Sequence, residues 1–373
     1  MRGTTKRRGI RRVRAALCAT VVVCAVTTVL PGVASAESMN VARVASDSGA
    51  GVERISVAPD GAQGDGDSTA ATITANGRSV AFSSLANNLT PDNPAIRERV
   101  YVRDQRMSKT TLMSTPVRPD QPPVISGDGQ YVAMWGLWQR DTKSFLSQVS
   151  SGSTIGMNCA GLSCSQTSLS ADGRYIAQVA TFNRPPSRQR IEVRDWRANT
   201  TETVYEFDHT VSSRPSISGD GRFVAYQDGK TEDVFVWDRT DDTSAGPIEG
   251  PSKAAKLVQI SKDGSKIVYL SGSDTYVQDE SSGTDQLVPN VRGLAIDPTG
   301  RYLLYAPNDT TGPSLVLRDL QTGTDEVVSN QPATAGTDTV SAGGRDVVFH
   351  STADDIVPGD TNGKSDVFVR RFY

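Results

Sequence analysis

The sequence predicts an all-β protein, a seven-bladed β-propeller whose last blade is completed by a strand from the N-terminal side. Three observations predict it. A turn unit, Ser-x-Asp-Gly followed by a basic or polar residue and then mostly apolar ones, recurs seven times. Its spacing is that of four-stranded blades, and no helical apolar period of useful length follows Ala36.

The copies are residues 74–82 (TANGRSVAF), 126–134 (SGDGQYVAM), 170–178 (SADGRYIAQ) and 218–226 (SGDGRFVAY). Three looser ones follow at 261–269 (SKDGSKIVY), 297–305 (DPTGRYLLY) and 341–349 (SAGGRDVVF). The aligned glycines are Gly77, Gly129, Gly173, Gly221, Gly264, Gly300 and Gly344. Their separations of 52, 44, 48, 43, 36 and 44 residues bracket the repeat length of about 40–50 typical of propeller blades.

Each unit reads as a hairpin, strand a to strand b, in which Gly takes a positive φ that other residues avoid. Strand c follows at 99–104, 144–149, 191–195, 233–238, 274–279, 314–319 and 366–371. Five of these end in Asp104, Asp195, Asp238, Asp279 or Asp319, where an Asx-type turn would reverse the chain. Strand d is clearest at 201–205 and 324–329. The blades fall at about 71–114, 123–157, 167–205, 215–248, 257–288, 293–329 and 338–373. The seventh unit reaches Tyr373 after its strand c, whereas 52–57 (VERISV) alternates ahead of the first unit. Pairing the two completes the last blade and removes an exposed edge.

Residues 1–36 read as a signal peptide: seven basic residues up to Arg14, an apolar run over 15–30 and Ala34-Ser35-Ala36 before the expected cleavage. The run is shorter than the roughly 20 apolar residues a spanning helix needs, so no membrane span is expected after cleavage. The small, polar stretch 37–51 reads as a flexible tether. The location expected is secreted or cell-envelope, and Arg7-Arg8 matches a twin-arginine signal only in part. Removing the seven basic residues leaves 32 Lys and Arg against 42 Asp and Glu, a charge that opposes nucleic-acid binding. Cys18 and Cys24 leave with the signal, so Cys159 and Cys164 form the expected disulfide of an exported chain.

The Ser-x-Asp-Gly-Arg/Lys hairpins followed by Asp-Val-Phe-Val-x-Asp strands resemble the TolB-like β-propellers, WD-repeat-like exported bacterial proteins, over about residues 51–373. The resemblance implies the propeller fold and a binding-scaffold or peptidase-associated role, and no TolB-type N-terminal domain or hydrolase domain is expected beside the repeats. The Pro usual in the family's Ser-Pro-Asp-Gly turn is missing here, and the last two copies depart furthest.

Short, uniform a–b turns lie on one face of such a ring, and long, variable b–c and d–a connections on the other. The second face is the expected binding face. Three groups on it are candidates. Asp354, Asp355, Asp360, Asn362 and Asp366, beside Asp60, Asp65 and Asp67, carry hard oxygen donors that could bind calcium, but the solvated turn-rich loop is the favoured reading and no cofactor is expected. Arg214, Lys256 and Arg292 lie four or five residues ahead of the turn units that begin at Ser218, Ser261 and Asp297 and would ring the channel mouth, where they suit an anionic ligand, with three unrelated surface cations as the favoured alternative. Trp135, Trp138 and Phe182 would form an aromatic platform, with packing between blades as the competing role of Trp135.

Catalytic patterns are missing: there is no Gly-x-Ser-x-Gly elbow, no His-Glu-x-x-His, no phosphate loop, and the two histidines, His209 and His350, sit at loop and strand ends. The expectation is a monomeric binding or scaffold protein with a protein or cell-envelope glycan partner. A glycan-directed hydrolase or lyase using channel-mouth carboxylates is the alternative.

Overall fold

The computed structural model describes residues 51–91, 98–113, 118–119, 122–138, 141–182, 188–211 and 213–372. The expected signal peptide and tether lie outside them, apart from Gly51. The described residues form seven antiparallel sheets, taken in order around a ring. Blade 3 is the fullest, with Ser163–Leu169, Tyr175–Phe182, Arg188–Asp195 and Thr200–Phe207 paired in sequence order. The ring closes as expected: Val52–Arg54 pairs with Asp366–Arg371, so that Val52 faces Arg370 and Arg54 faces Phe368. Ile55 N–H then donates to Val367 O at 2.7 Å. The inner edge of blade 7 is the least regular, two isolated bridges joining Thr334 to His350 and Val340 to Val347.

The core is divided into seven apolar layers, one per seam between neighbouring blades, because successive side chains of a strand point to opposite faces. In the strand Ser79–Ser84, Val80 and Phe82 pack toward blade 7 with Val348 and Val367, while Ala81 packs toward blade 2 with Val132 and Met134. The same division recurs at the other five seams. Strands buried on both faces explain why the repeats read as apolar runs more than as strict alternation.

One hydrogen-bond plan builds the turns. In blade 3 Ser170 Oγ donates to Asp172 Oδ1 at 2.7 Å and accepts from Tyr175 N–H at 2.9 Å, while Asp172 also accepts from Arg174 N–H at 3.0 Å. Blades 2, 4 and 5 repeat it, and blade 1 does so with Thr74 and Asn76. In blade 6 Asp297 replaces the serine and accepts from Arg301 and Tyr302 N–H. All seven aligned glycines have φ between 65° and 78°, as the hairpin chemistry requires.

The turns are also tied to each other. Ala75 N–H donates to Gly127 O, Asp128 to Ala171, Ala171 to Gly219, Gly219 to Lys262, Asp263 to Pro298 and Ala342 to Ala75, and Gly343 N–H reaches Asp297 Oδ2. These seven links, one per seam, form a closed belt on the turn face.

The aspartates ending strand c do more than turn the chain. Asp195 Oδ1 accepts Arg197 and Ala198 N–H, and its Oδ2 takes Arg174 at 2.7 and 2.9 Å. Asp104 pairs with Arg78, Asp238 with Arg222, Asp279 with Lys266 and Asp319 with Arg301. Each aspartate thus joins the a–b and c–d turns of its own blade, a pairing the turn reading alone had not supplied.

Candidate functional site

A charged cluster joins blade 7 across the ring to blades 4 and 5. Asp338, from the irregular inner segment of blade 7, receives Arg214 of blade 4 at 3.0 Å, Lys262 of blade 5 at 3.3 Å and Gln259 Nε2 at 3.1 Å. Gln259 Oε1 in turn accepts Asp338 and Ile296 N–H. Lys262 Nζ also reaches Leu169 O at 3.0 Å and Ile217 O at 3.4 Å, carbonyls of blades 3 and 4. Burial works to raise the Asp338 carboxyl, but Lys262 and Arg214 outweigh it and hold the group below the ordinary aspartate range. Asp338 holds this position at φ 59°, a left-handed conformation that Asp tolerates better than most residues.

The sequence contains a sign of this cluster. The second residue of the turn unit is Ala75, Gly127, Ala171, Gly219, Pro298 or Ala342 in six copies and Lys262 in the fifth. Small residues let the turns close the belt, and the single long one reaches Asp338. Neither Asp338 nor Gln259 carries such a mark.

Of the three candidate rim cations, Arg214 therefore belongs to the cluster and also meets Thr337. Lys256 and Arg292 are exposed, and among the described residues their side chains make no hydrogen bond or ion pair. The three are not brought together by any shared partner. Trp135 is half-buried opposite Ser144 in the strand Tyr131–Trp138, and Phe182 lies under the Arg190 guanidinium at 5.1 Å. Among the described residues no ring contact joins them, and the Trp138 side chain lies outside those residues.

The candidate calcium donors separate into two groups. Asp360 and Asp366 converge, but on the Arg54 guanidinium, at 2.8 and 3.3 Å. Asp366 is fully buried; it accepts Ser56 Oγ at 2.5 Å and Asn362 Nδ2 at 2.9 Å, and burial pushes its carboxyl up. Asp355 instead accepts from Gln331, and Asp354 is exposed. A cation is thus already supplied by the closing strand, and the five donors do not form one set. Among the described residues no group of three or more His, Cys, Asp or Glu side chains is placed to hold a metal ion. The neighbouring loop does arrive as expected, Gln63 Oε1 accepting Thr361 and Asn362 N–H and Asp67 accepting Ser365 N–H.

Two further devices lie on the loop face, of which the sequence reading supplied the disulfide but neither the His209 clamp nor the Glu192 seat. His209 is held between Asp208 and Asp228, each at 2.8 Å, which ties the d–a loop of blade 3 to the b–c loop of blade 4. The hydrogen bond to Asp208, with Asp228 behind it, raises the imidazole above its ordinary value. The Cys159–Cys164 disulfide is formed, and its loop rests on the buried Glu192, which accepts Ala160 N–H and Gln178 Nε2. Burial raises that carboxyl. An open cleft of about 580 Å³ lies on the same face between blades 6, 7 and 1, lined by Asp67, Thr69, Ser314, Thr334 and His350. Burial lowers the His350 imidazole, so it faces the cleft uncharged at neutral pH.

No protein-family model and no curated protein sequence matches the chain. Among solved structures, an oligogalacturonate lyase in complex with manganese superposes with a TM-score of 0.63 at 12% identity, over 86% of this chain and 93% of that one. The oligogalacturonate lyase of Vibrio parahaemolyticus gives the same TM-score and coverage at 10% identity. The chain is a seven-bladed β-propeller. At such identities the likeness shows the fold and nothing of the chemistry. TolB from Acinetobacter baumannii matches 70% of the propeller chain and 62% of its own at a TM-score of 0.47 and 16% identity, too loose a superposition to argue from.

The propeller thus presents two unequal faces. On one, turn peptides are spent in the belt; on the other, the connections differ from blade to blade. No helix among the described residues is long and apolar enough to cross a membrane.

Proposed function

We propose that this propeller is an exported binding or scaffold module, TolB-like in kind, that recognises a protein or cell-envelope glycan through its long-loop face. The observation that carries the reading is the cross-ring cluster around Asp338. The one carboxylate in the cluster, Asp338, is committed to Arg214, Lys262 and Gln259 and kept ionised. A hydrolase or lyase working at the channel mouth needs two carboxyl groups facing one bond, one of them holding its proton near neutral pH. The carboxyls that burial raises, Glu192, Glu280, Asp346 and Asp366, belong to blades 3, 5, 7 and 7 and each has its own surroundings. A ring whose cross-ring carboxylate is already paired, with irregular loops on one rim, suits recognition better than bond cleavage. The disulfide supports export, since such bonds persist in oxidising compartments.

The test presents the purified chain to immobilised envelope glycans and extracellular proteins, and assays the same glycans for cleavage. Saturable binding that falls about tenfold or more in a Lys256→Glu, Arg292→Glu double variant, with unfolding unchanged, is the expected result. Cleavage of a glycan, oligogalacturonide included, without any stable binding defeats the reading in favour of the lyase class.

A further inference from the structure

The turn face has a seam built differently from the others. The second residue after each turn glycine covers the turn glycine of the next blade. Tyr131 lies against Gly173, Tyr175 against Gly221, Phe223 against Gly264, Lys266 against Gly300, Tyr302 against Gly344 and Asp346 against Gly77. A Cβ on Gly173 would stand 2.5 Å from the Tyr131 ring, and one on Gly344 would stand 2.6 Å from that of Tyr302. Four of these six wedges are aromatic. In three blades the preceding arginine lies over the ring, Arg174 over Tyr175 at 4.9 Å, Arg222 over Phe223 at 4.6 Å and Arg301 over Tyr302 at 5.2 Å.

Between blades 1 and 2 the wedge position holds Ser79. A Cβ on Gly129 would meet the Thr74 methyl at 3.1 Å and Ser79 Oγ only at 3.8 Å, so a methyl group fills a corner of the seat and nothing fills the rest. Arg78 keeps its place, bonded to Asp104 at 2.7 and 3.0 Å like its counterparts. Among the described residues no ring lies beneath it. A cleft of about 580 Å³ opens there, lined by Thr74, Arg78, Ser79, Met107, Gly129 and Gln148 among others. That volume is in the range of small-molecule sites, and a mixed lining of this kind fixes a ring that carries polar substituents.

The geometry points to an aryl-ring site at this seam, taking a phenolic ring from a ligand in the seat that the chain's own Tyr131, Tyr175 and Tyr302 occupy elsewhere. The ring would lie on Gly129, which offers a flat backbone surface, with Arg78 over its face and Met107 at the open end. Cation–π attraction to a guanidinium already fixed by Asp104 and sulfur–aromatic contact with a Met side chain that is 62% exposed both favour a ring over an aliphatic group. Asn76, Gln130 and Gln148 supply hydrogen-bonding groups around the rim. The site is on the face opposite the proposed recognition loops, so either can fail without the other.

The test titrates the chain, labelled at its methionine methyl groups, with p-cresol as the free ring and N-acetyl-L-tyrosinamide as its peptide-borne form. The Met107 resonance, assigned through Met107→Leu, is expected to shift saturably with at least one of the two probes, and the probe preferred tells a free aryl ligand from a partner's tyrosine. Ser79→Tyr places the missing wedge in the seat; it should raise the melting temperature and abolish the shift. If that variant does not fold, Arg78→Gln serves instead and should weaken binding about threefold. Absence of a saturable shift in the wild type with both probes, or an undiminished shift in Ser79→Tyr, overturns the proposal.

Discussion

The two faces of the ring use ionic pairs in opposite ways. On the turn face, Arg78, Arg174, Arg222, Lys266 and Arg301 each meet an aspartate of their own blade, and the basic side chains remain 30–44% exposed. Toward the loop face and the axis the pairs join distant segments: Arg54 to Asp360 and Asp366, and Arg214 with Lys262 to Asp338. There the acid side chains are 0–8% exposed. Repetition yields local, solvated pairs that set each turn. The single-copy contacts of Arg54 and Asp338 span the ring with their acids buried, so water competes little for them. The difference teaches that closure and the axis, rather than the repeated motif, carry the electrostatic stakes of the fold.

Breaking the axial cluster should cost most. Asp338→Ala leaves two cations facing each other in a poorly hydrated axis, and removing one partner of a buried pair costs about 3–5 kcal/mol. Urea unfolding at neutral pH reads it, with Asp238→Ala as the turn-face counterpart, whose partner Arg222 stays hydrated and whose midpoint should move little. Because the Asp338 carboxyl is held below its unfolded value, its contribution is present above the ordinary aspartate pKa, about 3.9, and is lost as pH falls through the depressed value. Equal losses in the two variants would erase the distinction between the faces.

Arg54→Ala should follow, at about 3 kcal/mol, since it strands two buried carboxylates at the closing strand. Here acid helps. The Asp366 carboxyl is raised by burial, so its protonated form is the better tolerated one, and the deficit should shrink as pH falls toward that raised value. A deficit independent of pH would mean that lost strand pairing, rather than stranded charge, explains it.

How far the sequence foretells these features follows from whether they repeat. The blade order, the turn glycines and the closing strand were legible because the first two are copied seven times and the third is an alternating segment left over ahead of the first unit. Lys262 and Ser79 were legible in principle, as odd members of aligned columns, but only once the structure showed what each column does: close the belt, or cover the next glycine. Asp338, Gln259 and the Arg54 pairing were not legible. They depend on which residues meet across the axis or between segments some 300 positions apart, as Ser56 and Asp366 do at a separation of 310. Composition gave the acid cluster at 354–366 its calcium reading; what it could not give is that Arg54, from the other end of the propeller, sits between two of those acids.

The smallest expected effect concerns the exposed counterpart within the loop face itself, the His209 clamp. His209 is raised chiefly by its hydrogen bond to Asp208, a residue largely in solvent, and then by Asp228, which also organises its own loop through Lys230 and Thr231 N–H. A histidine raised on folding contributes stability below its unfolded value, about 6.5, and loses it as pH rises through the folded value. Wild type and His209→Gln should therefore differ by a melting temperature of about 1 °C at pH 5.5 and coincide near pH 9. Screening sharpens the contrast with the axis: salt at about 1 M, where the Debye length is about 3 Å, should remove the His209 difference while leaving most of the Asp338 penalty. A His209 difference that grows with pH, or that survives high salt unchanged, would place the clamp with the buried pairs and show that exposure is not what separates the two kinds of contact.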